Sequence, residues 1–574
     1  MSVNPSTPLS KNEVLKQNDP TLGGTLAETL ADKSLACFST DDEQFLKFHG
    51  IYQQDDRDKR KTGKQYIMMI RARIPGGVIP PDQYLAFDDL SERLGNQSLR
   101  ITSRQSFQWH GVVKDKLGPL MKGLNDALCT TLAACGDVNR NVMAPPTPAT
   151  SPLLERVHQD ARRVSDALLP QTGAYHSIWI DGSPLKLSPD EKQAFADPLY
   201  GRTYLPRKFK IAFAIPPLND TDVFTNCLGF VAIADPADPA RLLGYNLLCG
   251  GGLGMSHNNK ETFPRTADVL GFFPPEELVA VAKAVLTAHR DFGDRTNRKH
   301  ARLKYVLAER GADWFRAEVE ARTGFQLFPA RPVNFTRQGD LFGWHRAANG
   351  RWFLGLYVET GRIKDTPERQ LKTALRRIVT QFRPEVRLTP SQNLLLAGVA
   401  PEQKDSITAL LAEHGIPVEN QAGAVRRAAM ACPALPTCGL ALAESERIFP
   451  TILERIEGLL TELGLGDEEI IIRMTGCPNG CARPYMAEIG FVGRAPGKYS
   501  LSLGGNSGTT RLNREYRASV KTEDIINELR PPLTRWKNER LPGERFGDFC
   551  SRIVLPEQIK AGAAGDAAPA PISA

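Results

Sequence analysis

Two stretches decide the fold: RITSRQSFQWHG at residues 100–111 and RLTPSQNLLLAG at residues 387–398. They align at one constant offset, from the opening arginine to the closing glycine. Two further matches follow in the same order. Gly229-Phe230-Val231 is answered by Gly490-Phe491-Val492. Tyr245-Asn246-Leu247, leading to Gly250-Gly251, is answered by Tyr499-Ser500-Leu501, leading to Gly504-Gly505. Chance can supply one such match but hardly three in order, so the chain is an internal duplication. Strand-like runs such as QYIMMIRARIPGGVI alternate with helix-like runs such as DQYLAFDDLSERLG. The repeated unit is therefore α+β, and a pseudo-twofold axis is expected between the copies.

The copies differ in chemistry. Read as one strand, residues 100–111 place Arg104, Ser106, Gln108 and His110 on a single face. The counterparts are Ser391, Asn393, Leu395 and Ala397. One copy keeps a charged, hydrogen-bonding face and the other has turned largely apolar, which suggests one functional site beside one vestigial site. Alternation also pairs Arg71 with Arg73, and Lys208 with Lys210 in LPRKFK. Arg140 sits in DVNRNV between Asn139 and Asn141. Any one of these cations alone reads as a surface ion pair. Several of them, however, lie in strands built from Ile, Met, Phe and Val, where a cation needs a buried anion. Arginine forks grip carboxylates and oxyanions, and lysine adds a compact charge with a transferable proton. The set suits a polycarboxylate cofactor or a small oxyanion that is protonated as it reacts. The run Arg298-Lys299-His300-Ala301-Arg302-Leu303-Lys304 adds positive charge, or forms a solvated helix face.

Four of the ten cysteines form two close pairs, Cys432 with Cys438 in CPALPTC and Cys477 with Cys481 in CPNGC. Four thiolates can hold a structural zinc or an iron–sulfur cluster. The wide first gap favours a 4Fe–4S cluster over zinc, and a disulfide comes third. Cys37, Cys129, Cys135, Cys227, Cys249 and Cys550 are scattered and read mostly as small core residues.

At 574 residues the chain has room for two to four domains, and 41% hydrophobic with 24% charged residues is ordinary for a soluble globular protein. A net charge of +7 implies local basic sites rather than a surface that coats nucleic acid. The start is polar and no apolar run approaches a membrane span, so a cytoplasmic, reducing setting is expected. Residues 1 to about 45 read as a flexible or extended arm, and FHGIYQQDDRDKRKTGK (48–64) as a polar loop. GGGLG (250–254) has a counterpart in the second copy and reads as a turn, not a dinucleotide fingerprint. Electrons must then come from outside the chain.

On these residues the chain resembles the sirohaem-containing sulfite and nitrite reductases, from FHGIYQQDDRD to RFGDF (545–549). CPALPTCGLALAE, TGCPNGCARP, TYLPRKFK, NRNV and RQSFQWHG carry the likeness most specifically. The resemblance implies a three-domain α+β architecture: an arm (1–65), two ferredoxin-like half-domains (66–135 and 335–419), a first α/β domain (136–334), a second with the cluster ligands (420–555), and a disordered tail (556–574). It implies a sirohaem joined to a 4Fe–4S cluster through a shared thiolate, with Cys432, Cys438, Cys477 and Cys481 as cluster ligands and Cys481 shared. Arg71, Arg140, Lys208 and Lys210 would bind sulfite, and Arg104, Gln108, His110, Asn139 and Arg302 would help hold the sirohaem. The implied activity is six-electron reduction of sulfite to sulfide for cysteine biosynthesis, with nitrite reduction as the alternative. The implied donor is an NADPH-linked flavoprotein subunit, with ferredoxin second. A zinc-stabilised nucleic-acid module is the competing reading. It leaves the asymmetric duplication unexplained, and the basic residues lack aromatic interleaving.

Overall fold

The computed structural model describes residues 7–148, 150–171, 179–180, 183–184 and 189–558, so the expected tail falls outside them from 559 onward. The chain divides into two units. The first comprises Met1–Gly252, Lys260–Asn334 and Gly339–Gln421; the second comprises Leu253–Asn259, Phe335–Gln338 and Ala422–Ala574.

The first unit begins with helices, not an extended arm: Lys11–Asn18, Leu26–Ala31 and Asp42–Phe48. The segment buries Leu22, Phe38, Phe45, Leu46 and Phe48 without an apolar period to announce it, and a buried polar group helps to dock it. Lys16 is 2% exposed and donates to Glu13 Oε1 at 2.5 Å and to Leu205 O at 2.9 Å. Asp137 lies 3.6 Å from the same ammonium. The expected polar loop at 48–64 is also ordered. Strand β1 (Ile51–Asp55) pairs antiparallel with β2 (Tyr66–Arg71), leaving the turn Arg57–Thr62 mostly in water.

Then come β3 (Val78–Ile79), the helix Pro81–Leu94, β4 (Leu99–Ile101), β5 (Phe107–Val112) and the helix Lys114–Asp126. RITSRQSFQWHG is thus a hairpin and not one strand. Thr102 Oγ1 accepts from the N–H groups of Arg104 and Ser106, both at 3.2 Å, and Gln105 is left-handed at φ +51°. This side-chain turn breaks the alternation. Gln108 and His110 still share a face, but Arg104 lies in the turn.

A short hairpin, β6 (Trp179–Ile180) and β7 (Ser183–Pro184), precedes β8 (Ile211–Ala214), β9 (Leu228–Asp235), β10 (Asp238–Cys249) and β11 (Asp268–Phe273). The second half-domain runs β12 (Gly343–Arg346), β13 (Trp352–Leu356), β14 (Arg362–Ile363), the helix Leu371–Phe382, β15 (Glu385–Leu388) and β16 (Leu394–Val399). Its hairpin repeats the first: Asn393 N–H donates to Thr389 Oγ1 at 2.9 Å, and Gln392 has φ +73°. The second unit carries β17 (Met430–Ala431), β18 (Ile472–Thr475), β19 (Ile489–Ala495), β20 (Lys498–Leu503) and β21 (Arg514–Lys521).

The half-domains exchange a strand. Their sheets have the orders β1-β2-β5-β4-β14 and β12-β13-β16-β15-β3, so each copy's short strand completes the other's sheet. Arg362 pairs with Arg100, and reciprocally Val78 with Arg387. Each donated strand leaves a left-handed glycine in a crowded place. A Cβ on Gly77 (φ +74°) would meet Leu388 O at 2.5 Å, and one on Gly361 (φ +75°) would meet Ile101 O at 2.7 Å. The helices Pro81–Leu94 and Leu371–Phe382 then share one core with both sheets, built on Tyr84, Phe87, Trp109, Leu375 and Ile378.

The other two sheets repeat each other as well, in the orders β11-β10-β9-β8 and β17-β18-β19-β20-β21. β8 runs parallel to β9, as β18 does to β19. Val231 pairs with Asn246, as Val492 does with Ser500. Leu228 N–H donates to Lys210 O, and Ile489 N–H to Ile471 O, both at 3.1 Å. Followed along this register, Cys432, Cys438, Cys477 and Cys481 correspond to Pro145, Ser151, Pro216 and Asp220, while Lys208 and Lys210 correspond to Glu469 and Ile471. Each copy has kept a different half of the chemistry.

Candidate active site

In the first unit, backbone pairing brings the cations together. Arg71 ends β2, where it pairs with Gln108 of β5. With its amide oxygen toward the guanidinium, Gln108 accepts from Arg71 Nη2 at 2.6 Å and Nε at 3.2 Å. Arg71 Nη1 donates to Cys135 Sγ at 3.1 Å. Arg140 is buried and braces its own loop, donating from Nε to Gly136 O at 2.8 Å and from Nη1 to Ala134 O at 3.2 Å. Its backbone N–H donates to Phe209 O at 2.9 Å, which sets Arg140 in the row beside Lys208 and Lys210. Phe209 is fully buried and the two lysines are half-buried, so the expected alternation holds there, although the backbone pairs with its neighbour only through single bridges and not as a continuous ladder.

Tyr52 ties this group together. Burial first, and then Cys135, raise its phenol pKa, while Arg140, Arg71 and Arg207 oppose the rise. The Arg71 guanidinium lies 6.0 Å from the Tyr52 ring centre. Burial, with Arg298 nearby, pushes Arg207 down to about 10 against the pull of Asp137, and Arg302 also acts on it. Arg302 is buried and reaches Cys227 Sγ at 3.6 Å through Nη2. Burial, then Arg302, push Lys304 down to about 7. The 298–304 run is therefore not a solvated helix face. Arg298 is paired with Asp137 at 2.8 Å, and Lys304 donates to Gly252 O at 3.2 Å.

The remaining expected residues are placed as follows. Arg104 donates to Asn226 Oδ1 at 2.9 Å and to Ile211 O at 3.1 Å, bracing the start of β8. His110 is buried, and its Nδ1 accepts from Arg362 Nη2 of the exchanged β14 at 3.2 Å. Arg73 is set apart from Arg71. Its guanidinium is spent on Asn139 O at 2.9 Å and on Ser165 O and Oγ at 2.9 and 3.0 Å. Asn139 is fully buried, yet neither its amide oxygen nor its nitrogen has a partner among the described residues, and the same holds for Arg302 Nε. Buried polar atoms are rarely left so. Together with the clustered guanidinium groups, they fit a bound group rich in oxygen, such as the carboxylates of a sirohaem.

In the second unit, the four thiols lie close enough to act on one another. Cys432 and half-buried Cys438 pack with Met430, Ala434, Ala441 and Ala482. Burial lifts the Cys432 thiol well above its ordinary range, with Cys481, Cys477 and Cys438 adding to the rise. Burial and then Cys481 push Cys477 up to about 11. Thiols that disfavour one another's ionisation need a cation or a cluster to become ligands together. Two N–H···S bonds are in place: Gly476 N–H to Cys432 at 3.4 Å and Asn479 Nδ2 to Cys477 at 3.5 Å. Such bonds tune iron–sulfur clusters. Gly476 must be glycine, since a Cβ there would lie 2.4 Å from Ala443 O. Among the described residues no group of three or more His, Cys, Asp or Glu is arranged to hold a single metal ion. Cys432 and Cys477 are buried, Cys438 is half-buried and Cys481 is exposed. A donor set of four neighbouring sulfurs fits a 4Fe–4S cluster.

The sequence alone does not mark Tyr52 or Arg207, and it presents Cys135 and Cys227 as small core residues. Arg207 stands next to Lys208 and could have been included with it. Tyr52 and the two cysteines carried no local signal, because their partners come from distant segments.

Fold and donor sets together define an internally duplicated α+β redox enzyme with an oxyanion-type cation cluster in one copy and a cluster-type thiol set in the other. The nitrite and sulphite reductase 4Fe-4S domain family matches residues 160–327, and the nitrite/sulfite reductase ferredoxin-like half domain matches 59–127 and 345–414. The first of these ranges belongs to the copy that lacks the four cysteines. The chain is 50% identical over 551 residues to the sulfite reductase (NADPH) hemoprotein beta-component of Myxococcus xanthus, covering 95% of this chain and 96% of that protein. It is 47% identical over 564 residues to the corresponding protein of Geobacillus kaustophilus, with 97% and 98% coverage. The Mycobacterium tuberculosis NirA protein has the same fold, with a TM-score of 0.75 at 23% identity over 95% of this chain and 96% of that one. The chain belongs to the nitrite and sulfite reductase family. The duplicated α+β fold, the enzyme class and the sirohaem with 4Fe–4S cofactor pair expected from the sequence stand with that membership.

Proposed function

We propose that this chain is the haemoprotein subunit of an assimilatory, NADPH-linked sulfite reductase that makes sulfide for cysteine biosynthesis. The observation that carries the reading is the division of labour between the copies: clustered cations in the first, four thiols in the second. Sulfur passes from +4 to −2, and a bound sirohaem with its 4Fe–4S cluster would relay the six electrons from an external donor, which no side chain can do.

The chain's own residues do the rest. Arg71, Arg140, Lys208 and Lys210 bind the sulfite oxygens and neutralise their charge. The two lysines, half-buried on either side of Phe209, deliver protons as oxygen leaves as water. Arg104, Gln108, His110, Asn139 and Arg302 hold the sirohaem or the cations that grip it. Cys432, Cys438, Cys477 and Cys481 would hold the cluster, and Cys481 would also serve the haem. In this reading the chain divides as an N-terminal segment (1–65) whose strand β1 joins the first half-domain's sheet, half-domains (66–135 and 335–419), a first α/β domain (136–334) and a second (420–555). The relatives are named beta-components, which supports a flavoprotein alpha subunit as donor; ferredoxin is the alternative. No described helix is long and apolar enough to cross a membrane, and all ten cysteines are free thiols, in keeping with a cytoplasmic setting.

The test is the visible spectrum of protein purified from cells that make sirohaem, with iron and acid-labile sulfide measured on the same sample. A reduced-porphyrin spectrum that shifts with sulfite, and about five irons per chain, is the expected result. A colourless zinc protein from such cells would overturn the reading. Turnover with the flavoprotein subunit or with ferredoxin, and on sulfite or nitrite, separates the finer alternatives.

A further inference from the structure

Cys227 stands immediately before β9, and Glu488 immediately before β19, at equivalent places in the two copies. Gly250 N–H donates to Cys227 O at 3.0 Å, and Gly504 N–H to Glu488 O at 3.2 Å. Glu488 is fully buried and serves as an internal anion. Its carboxylate accepts from Ile471 N–H at 2.9 Å, Gly547 N–H at 3.0 Å and Arg545 Nη2 at 2.8 Å. Cys227 is also fully buried. It faces the same kinds of donor, the Lys210 backbone N–H, which is the counterpart of Ile471, and the Arg302 guanidinium at 3.6 Å, with the Lys208 carbonyl oxygen farther off at 3.9 Å.

We propose that Cys227 is a buried thiolate standing where the second copy places a carboxylate, a positioning anion that orients Arg302 beside Lys210 toward the cofactor. The part of this that concerns the cofactor rests on the function proposed above. A buried anion is tolerated only when paired and hydrogen-bonded, and both conditions are met. Burial alone would raise this thiol, but Arg302 and then Lys210 outweigh it and hold the thiol below its usual range. Cys249, the other thiol nearby, is driven the opposite way by burial, then by Asp268 and by Cys227 itself, and stays protonated. Lys304 adds a further cation that senses Cys227. Sequence reading took Cys227 for a small core residue. Its burial agrees with that, but its partners do not.

The test uses full-length Cys227→Asp, Cys227→Ser and Cys227→Ala made in cells that supply sirohaem, reading sirohaem per chain and the sulfite KM. Asp, which keeps the charge, is expected to match the wild type within about twofold. Ser and Ala are expected to lose cofactor affinity or sulfite KM by about 10–100-fold, the usual range for residues that orient a ligand-holding group. Ser equal to the wild type, or Asp as poor as Ala, would overturn the proposal. In parallel, the thiolate ultraviolet band is titrated as wild type minus Cys227→Ser, which decides the matter alone should the Asp variant not fold. A difference midpoint below the ordinary thiol value of about 8.5 supports the anion, and one at or above it overturns the proposal. If no protein, wild type included, takes up sirohaem, the functional reading fails while this titration still decides the state of Cys227.

Discussion

At the scale of single residues, the first copy gathers cations that repel one another. Arg207 and Lys304 are held below their usual ranges by burial and by neighbouring guanidinium groups. A bound oxyanion with a polycarboxylate would relieve such a group. Within this set Lys208 is expected to matter for proton delivery more than for assembly. Lys208→Met should retain the haem spectrum and lose about 10²–10⁴-fold in sulfite turnover; turnover at the wild-type rate would remove the proton role. Cys481→Ser should instead lose the coupled centre, read as a fall in iron and acid-labile sulfide per chain. A full iron content with an unchanged spectrum would argue against the shared thiolate. The four cysteines were legible from their spacing, and Lys208 and Lys210 from cations in an apolar run. Tyr52 was not, since Arg71, Cys135, Arg140 and Arg207 meet it only after folding.

Among the elements, the exchanged strands β3 and β14 are the feature on which the half-domains depend. Gln105 holds the crossing. Its amide donates to Gly76 O at 3.1 Å and to Leu388 O at 3.0 Å, and accepts from Ala144 N–H at 3.0 Å. Gln105→Ala leaves these buried groups unsatisfied and should destabilise the chain by about 2–4 kcal/mol, measured by denaturant unfolding. A loss below about 0.5 kcal/mol would mean that water or a shift in the turn replaces the amide. The turn at Gln105 also explains why one strand was expected where two exist. RITSRQSFQWHG has no Gly or Pro before its closing Gly111, so its polar middle, Thr102 to Ser106, reads as part of one strand, and the Thr102 hydroxyl that makes the turn has no periodic signature.

Over the whole molecule, the first unit carries three neutral histidines, of which His49 and His289 are buried and His158 is half-buried. Burial, aided by Arg387 at His158, pushes His49, His158 and His289 down to about 4. In the unfolded chain they titrate near 6.5. Between these values the unfolded state binds more protons, so stability is full above pH 6.5 and falls as the pH drops to 4. Each residue contributes about 3 kcal/mol to that fall. The melting temperature should therefore decline steadily from pH 6.5 to 4, well before the carboxylates of the core protonate. A flat profile across this window would show that these imidazoles can be charged in the folded state. The buried pair Lys16–Glu13 with Asp137, which docks the first helix, belongs to this scale too. It joins residues far apart in sequence and was invisible in a segment read as an arm.

The sequence by itself determined the duplication and the α+β class, and it marked the four cysteines and most of the cations as candidates. Each of these is written in local period, in spacing or in a repeat, and a repeat survives wherever the two copies keep the same backbone register. Only the tertiary structure decided the strand exchange, the hairpin at Gln105, the docking of the first helices, the separation of Arg73 from Arg71 and the ionic partners of Cys227. These depend on which buried donor meets which acceptor across long stretches of chain, and burial is what makes such a meeting decisive. The same cysteine that is a small apolar filler in one setting becomes an anion in another when a guanidinium and a backbone N–H face it.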